Sequence, residues 1–339
     1  MGKQTDLIEG NIFKALLVFA VPLLIGNLFQ QLYNTADSYV VGNFVDTNAL
    51  AAVGASASVI QMLVGFFMGL SVGAGVVIAQ YFGAGQKEKM SQAVYSALAL
   101  TVLLSALFTV AGIALTRPLL RAIGVPQEVL PHSTLYLTIY FAGITFLLFY
   151  NMGSGISRDP LIYLAIASVL NVILDVLLVC VARLGVAGVA LGTMIAQAVS
   201  AYLVMRQLIR TREDYRVELK KIRFHREMIR QILMVGLPAA LQQSITAFSN
   251  VVVQSYINSF GTAAIAGYST TIRIDGFLQL VLQSFNMTIT TFVGQNIGAR
   301  KTERVKQGIF IAWVMCSAII LAGSVWMNRE GALLVSLFT

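Results

Sequence analysis

Nine stretches of this chain are long and apolar enough to cross a bilayer: Ile12 to Val41, Leu50 to Tyr81, Ala93 to Leu115, Leu135 to Ile156, Leu161 to Val181, Val186 to Met205, Ile229 to Ile257, Ala263 to Val293, and Gly308 to Trp326. A spanning helix needs about 20 mostly apolar residues. In hydrocarbon, every backbone N–H and C=O must find its partner within the chain. A barrel strand would be about 10 residues long with alternating polarity, a pattern these runs do not show. The fold class expected is therefore an all-α polytopic membrane protein. Several runs exceed twenty residues, so tilted or bent helices reaching past the hydrocarbon core are expected. Pro22 and Pro238 lie near the starts of two of them, where a bend costs least.

Composition supports the same class. Charged residues are 11% of the 339 and hydrophobic ones 57%, whereas a soluble domain carries roughly 25% charge. That excludes a soluble enzyme, a disordered chain and a nucleic-acid binder. The net charge of +8 is explained by topology. With the N-terminus in the cytoplasm, the inside segments hold Lys3, Lys14, Lys87, Lys89, Arg158, the nine bases from Arg206 to Arg230, Arg300, Lys301, Arg304 and Lys306. The outside segments hold only Arg117, Arg121, Arg183 and Arg329, a split that follows the positive-inside rule. Cys180 and Cys316 sit in separate apolar runs, and His132 and His225 are isolated, so no disulfide framework, metal site or cofactor is implied. The first apolar run, about thirty residues, is too long for the 7–15-residue core of a cleaved signal.

The chain repeats itself, a mark of modular architecture. Val21-Pro22 pairs with Leu237-Pro238, and Asn34 with Asn250, at an offset of 216. At an offset of 215, Ala49-Leu50-Ala51 pairs with Ala264-Ile265-Ala266, Gln80-x-x-Gly83-Ala84 with Gln295-x-x-Gly298-Ala299, and Glu88 with Glu303. The offset spans six helices, an even number, so the halves enter the membrane in the same direction. Parallel repeats of this kind are a transporter device. Leu333-Leu334 pairs with Leu119-Leu120, so counterparts of Pro126 to Met205 are expected to be missing. The expected organisation is an N-terminal lobe of six spans (1–205), a basic cytoplasmic linker (206–228), and an incomplete C-terminal lobe holding three spans of an expected six (229–339).

Ionisable groups within a span are costly and are functional candidates by default. Four lie there: Asp37, Asp175, Arg273 and Asp275. Counting from the outer helix ends, Asp37 is roughly 6 Å deep, Asp175 roughly 9 Å and Thr193 roughly 10 Å. Asn171 stands one turn before Asp175 on the same face. Two carboxylates in one low-dielectric pocket cannot both carry charge cheaply, so one of them readily takes up a proton. Oxygen ligands without sulfur or imidazole also suit a hard cation such as sodium at Asp37 and Asp175. The alternative reading of Asn171 and Asp175 is hydrogen bonding across helices.

Polar residues also recur at helical spacing. Asn27, Gln30, Asn34 and Asp37 line one face of the first helix. Gln243, Thr246, Asn250 and Gln254 line the seventh, and Gln279, Gln283, Asn286 and Thr290 the eighth. Such stripes suggest a water-accessible substrate cavity, or else interhelical hydrogen bonding. Arg273 and Asp275, two residues apart, do not face each other and are candidate charge partners for other groups. Gly69, Gly73 and Gly75 lack the Lys-Ser/Thr ending of a phosphate loop and read as close helix packing.

The repeated halves, the Val-Pro before a polar-striped first helix, Asn34-Thr-Ala-Asp37, Gln-x-x-Gly-Ala, Gly185-Val-Ala-Gly-Val-Ala-Leu-Gly-Thr193 and Arg273-Ile-Asp275 together resemble the multidrug and toxic compound extrusion (MATE) transporters. The likeness is greatest to the prokaryotic branch related to the DNA-damage-inducible transporter. The resemblance implies a monomeric antiporter in the cytoplasmic membrane of a prokaryote. It would export small cationic, amphipathic drugs or dyes in exchange for H+ or Na+. The resemblance also implies a cation site at Asp37, Asn171, Asp175 and Thr193. The junction Ser157-Arg158-Asp159-Pro160 is shorter than the resemblance implies. Competing readings are a flippase for lipid-linked precursors, which would need more intramembrane base than Arg273, and a non-functional truncated fragment. An intramembrane aspartyl protease of one major class would carry Gly-x-Gly-Asp, which this chain lacks.

Overall fold

Nine α-helices make up most of the described backbone: α1 Ile12–Phe44, α2 Thr47–Gly83, α3 Lys87–Ala122, α4 Leu130–Ser154, α5 Pro160–Asp175, α6 Val186–Arg210, α7 Arg226–Asn258, α8 Thr262–Gly298 and α9 Thr302–Ser336. The computed structural model describes residues 7–45, 47–154, 160–211, 215–258, 260 and 262–336, and no strand occurs among them. The short junction read at Ser157, Arg158 and Asp159 lies outside the described residues. Pro160 opens α5, where its missing N–H would have been unbonded anyway. Helix α5 stops short of its apolar run. From Val176 to Val181 the chain widens into a π-helical turn, which completes the span.

Among the described residues, seven helices, α1 to α6 and α9, are long and apolar enough to cross a membrane. Helices α7 and α8 complete the nine runs read from the sequence and have 33 and 37 residues. They are less uniformly apolar because they carry Gln242, Gln243 and Asn250, and Asp275, Gln279, Gln283 and Asn286. The repeat reappears as matched lengths. Helices α1 and α7 both have 33 residues, α2 and α8 both 37, and α3 and α9 have 36 and 35. Both α1 and α7 run unbroken through their prolines, Pro22 and Pro238.

Packing groups the chain into two compact units. One comprises Met1–Asn27, Ala79–Gln86 and Ser244–Thr339; the other comprises Leu28–Ile78 and Lys87–Gln243. Helices α1 and α7 are thus each shared between the units. This partition by packing differs from the partition by repeat into 1–205, 206–228 and 229–339.

In the larger unit, α3 packs on α4, α4 on α6, and α6 on α5. Its core gathers Val59, Phe67, Leu120, Leu137, Phe141 and Ile144. Small residues set the helix approach, as expected in a membrane. A Cβ on Gly112 would overlap the Phe141 ring, and one on Gly143 would strike Met194. Gly69 and Gly73 let the α2 backbone rest on that of α7, at Ala240 and Gly236. Gly75, read from the sequence as part of the same packing set, faces open space instead. Buried hydroxyls bond back to the carbonyl one turn earlier, Thr101 to Ala97 and Ser168 to Leu164, which satisfies them within their own helix.

In the smaller unit, Leu7, Ile12, Leu16 and Ala20 pack with Phe285, Phe292, Ala312 and Met315 of α8 and α9. The segment leading into α1 is strapped to the α8–α9 turn. Leu7 N–H donates to Gln295 Oε1 (3.1 Å), Asn296 Nδ2 donates to Leu7 O (3.1 Å), and Lys301 Nζ donates to Ile8 O (3.1 Å). The Arg304 guanidinium donates to Glu9 O and Gly10 O, each at 2.8 Å. Here the two Gln-x-x-Gly-Ala motifs meet. A Cβ on Gly83 would collide with the Gln295 carbonyl, and one on Gly298 with the Gln80 carbonyl. The contact is reciprocal, each motif's glycine lying on the other's glutamine backbone.

Gly73→Ala should therefore lower stability by about 1–3 kcal/mol through overpacking against Gly236. Gly75→Ala should be neutral or slightly stabilising, because alanine favours helix by about 1 kcal/mol. Thermal unfolding midpoints of the detergent-purified chain compare the two. Equal midpoints would refute the seam.

Candidate functional site

Three helices converge on one small cluster in the larger unit. Val40 and Val41 of α1, Val179 of the π-turn, and Val186, Val189 and Ala190 of α6 pack together. The candidate residues lie four positions from this cluster on each element. Asp37 is four before Val41, Asp175 four before Val179, and Thr193 four after Val189. The side chains of Asn34, Asp37 and Arg273 lie outside the described ones.

Asp175 is wholly buried, Asn171 is 1% exposed and Thr193 is buried. Asn171 Nδ2 donates to Thr193 Oγ1 (3.4 Å), and Thr193 Oγ1 donates to Val189 O (3.0 Å). Asn171 Oδ1 is buried and accepts no hydrogen bond among the described residues. An unmatched buried acceptor costs roughly 1–3 kcal/mol, a deficit that a cation or a donated proton would relieve. A carboxylate, a carboxamide oxygen and a hydroxyl make a donor set suited to a hard monovalent ion.

Sequence reading missed Gly192. A Cβ there would stand 2.5 Å from Asp175 Oδ1, so α6 presents bare backbone to the carboxylate. Gly188, one turn earlier, faces Leu178 of the π-turn in the same way. The Gly188-x-x-x-Gly192 spacing was the available signal, since small residues four apart mark close helix contact. Gln197 and Ser200 were missed as well. Both are buried and continue the Thr193 face of α6 inward, with Ser200 Oγ donating to Gln197 O (3.0 Å). On α5, buried Ser168 continues the line of Asn171 and Asp175.

The predicted cavity residues are in a different setting. Gln279, Gln283 and Asn286 are exposed along α8, and Gln243 and Asn250 along α7. Asp275 is exposed and accepts from Gln279 Nε2 (3.3 Å) on its own helix. On α1, Asn27 and Gln30 are half-buried, and Asn27 Nδ2 donates to Ser284 Oγ (3.0 Å). Two open concavities, of about 460 and 670 Å³, are lined by apolar side chains such as Phe13, Leu17 and Phe285, and Phe146 and Tyr202. Neither contains a predicted site residue.

Known proteins share this architecture. A family model described as MatE matches residues 22–177 and 238–339. Its two matches begin at Pro22 and Pro238, which the repeat pairs. The probable multidrug resistance protein YpnP of Bacillus subtilis (strain 168) is 30% identical over 314 residues, covering 89% of this chain and 69% of that protein. The multidrug export protein MepA of Staphylococcus aureus (strain MSSA476) is 26% identical over 341 residues, covering 98% of this chain and 74% of that protein. The solved structure of an outward-facing multidrug-resistance MATE transporter of the MOP superfamily superposes with a TM-score of 0.92 at 26% identity. It covers 100% of this chain and 77% of that one.

Gly192→Ala should destabilise the protein by about 1–3 kcal/mol, because the new methyl displaces the Asp175 carboxylate. Asp175→Ala in the same chain vacates that space and should recover part of the loss. A coupling above about 0.5 kcal/mol in a double-mutant cycle of unfolding reports the contact; strict additivity would mean that it is absent.

Proposed function

The chain belongs to the MatE family, whose members are membrane transporters rather than enzymes, and from this we propose that it is a secondary active antiporter exporting cationic, amphipathic drugs or dyes in exchange for H+ or Na+. The observation that carries the coupling half of this reading is the buried Asn171–Asp175–Thr193 cluster, to which the reading adds Asp37 of α1. A proton on a carboxylate, or a sodium ion among these oxygens, would satisfy the site. The ion drives transport only by binding one conformation better than the other.

The substrate half rests on the exposed polar faces of α7 and α8. In a bilayer such faces are stable only against water or protein, so they support a hydrated face along Gln243 and Asn250 of α7 and another along Gln279, Gln283 and Asn286 of α8. YpnP and MepA are multidrug resistance and export proteins by name, which favours drug-like cargo. The moving bodies in this reading are the repeat lobes 1–205 and 229–339, joined by 206–228. The protein would sit in the cytoplasmic membrane with its N-terminus inside.

Asp37→Asn and Asp175→Asn should each abolish ion-coupled ethidium efflux from cells or proteoliposomes while leaving expression and folding intact. Each removes a charge without changing side-chain size. Undiminished coupled efflux in both variants, measured beside wild type, would remove these residues from the coupling site.

A further inference from the structure

The segment between α6 and α7 carries chemistry that transport does not use. Its described part, Tyr215 to His225, is anchored at both ends. Tyr215 and Val217 are buried, and Val217 N–H donates to Leu208 O (2.9 Å). The Tyr95 hydroxyl donates to Arg216 O (3.4 Å), and His225 N–H donates to Ser96 Oγ (3.1 Å). Between these anchors a short 3-10 turn, Leu219–Lys221, turns outward. It leaves Leu219 59% and Phe224 54% exposed. The bases Arg216, Lys220, Lys221, Arg223 and Arg226 are exposed around them. Among the described residues only Lys221 of these five pairs with a carboxylate, that of Glu218 (3.0 Å).

We propose that this strap is a docking surface for anionic phospholipid headgroups in the leaflet on its own side of the membrane. Three observations converge on that occupant. The strap follows Arg210, the end of α6, a helix long and apolar enough to cross a membrane, and leads into α7 at Arg226. Its two exposed apolar side chains are interleaved with bases, which matches a surface of anionic phosphate over hydrocarbon. Clusters of four to eight bases beside a membrane helix attract anionic lipid, more weakly as salt rises. Because the backbone is pinned to α3 and α6, the bases are presented as a fixed row, and little ordering is required on binding. Leu219 and Phe224 enter the acyl boundary, while Lys220, Arg223 and Arg226 contact phosphate.

The test needs no transport and so stands or falls separately from the antiporter reading. The full chain, purified in detergent, is offered an equimolar mixture of the phosphatidylglycerol POPG and the phosphatidylcholine POPC, and the retained lipids are counted by native mass spectrometry. Wild type should retain POPG over POPC by about fivefold or more, and added salt should erode that ratio. The triple variant Lys220→Gln, Arg223→Gln, Arg226→Gln should bring the ratio to about one. Leu219→Ser with Phe224→Ser should reduce retention of both lipids. Equal retention by wild type, a ratio indifferent to salt, or an unchanged ratio in the triple variant would each overturn the proposal. All five residues are exposed, so unfolding is not the expected failure, and the salt series on wild type tests the idea without any substitution.

Discussion

The structure follows from the requirement that no backbone polar group be left unbonded in hydrocarbon. Helices meet that requirement within themselves, which is why nine apolar runs became nine helices without a strand among the described residues. What remains open is how the helices approach one another. Where apolar surface gives little preference between lipid and protein, close approach and polar contacts decide. The chain supplies both: bare glycine at Gly69, Gly73, Gly83, Gly192 and Gly298, and the interhelical hydrogen bonds of Asn27 with Ser284 and Asn171 with Thr193.

Against that background the polar residues fall into two environments. Asn171, Asp175 and Thr193 are buried where α5 meets α6, and Gln197 and Ser200 are buried further along α6, where a polar atom without a partner is expensive. Gln279, Gln283 and Asn286 lie along an outer face of α8. An enclosed oxygen cluster responds to a small ion and excludes anything larger. An open carboxamide face admits a large, variable cargo but holds no ion tightly. An antiporter needs both, and the proposed function assigns one task to each.

Much of this was legible in the sequence because hydropathy and repeat are local properties. The matched lengths of α1 with α7 and of α2 with α8 are the structural form of a repeat visible in Val21-Pro22 and Leu237-Pro238. The four-residue spacing of Asn171 and Asp175 sets them on one helix face. Other features depend on the partner and could not be read from one helix. Gln-x-x-Gly-Ala could be recognised as a repeated motif, but nothing in either copy says that its glycine rests on the other's glutamine. Gly69, Gly73 and Gly75 look equivalent in the sequence, yet of these three only Gly69 and Gly73 meet α7. The π-turn after Asp175 follows an apolar run indistinguishable by composition from the helix it interrupts. The division of α1 at Asn27 and of α7 at Gln243 is a property of tertiary packing alone.

That last division bears on how the protein is made. The residues that clasp Leu7 to Gly10 lie 288 to 297 positions further along the chain. During synthesis, the opening segment of α1 must therefore enter the membrane long before α8 and α9 exist to receive it. Contacts of such sequence separation form late and slowly. Meanwhile the apolar side chains of Leu7, Ile12, Leu16 and Ala20 have only lipid, or an insertion factor, as company. The larger unit, by contrast, is complete once Gln243 has been added, so the two units mature in a fixed order, with α1 inserted first and locked last.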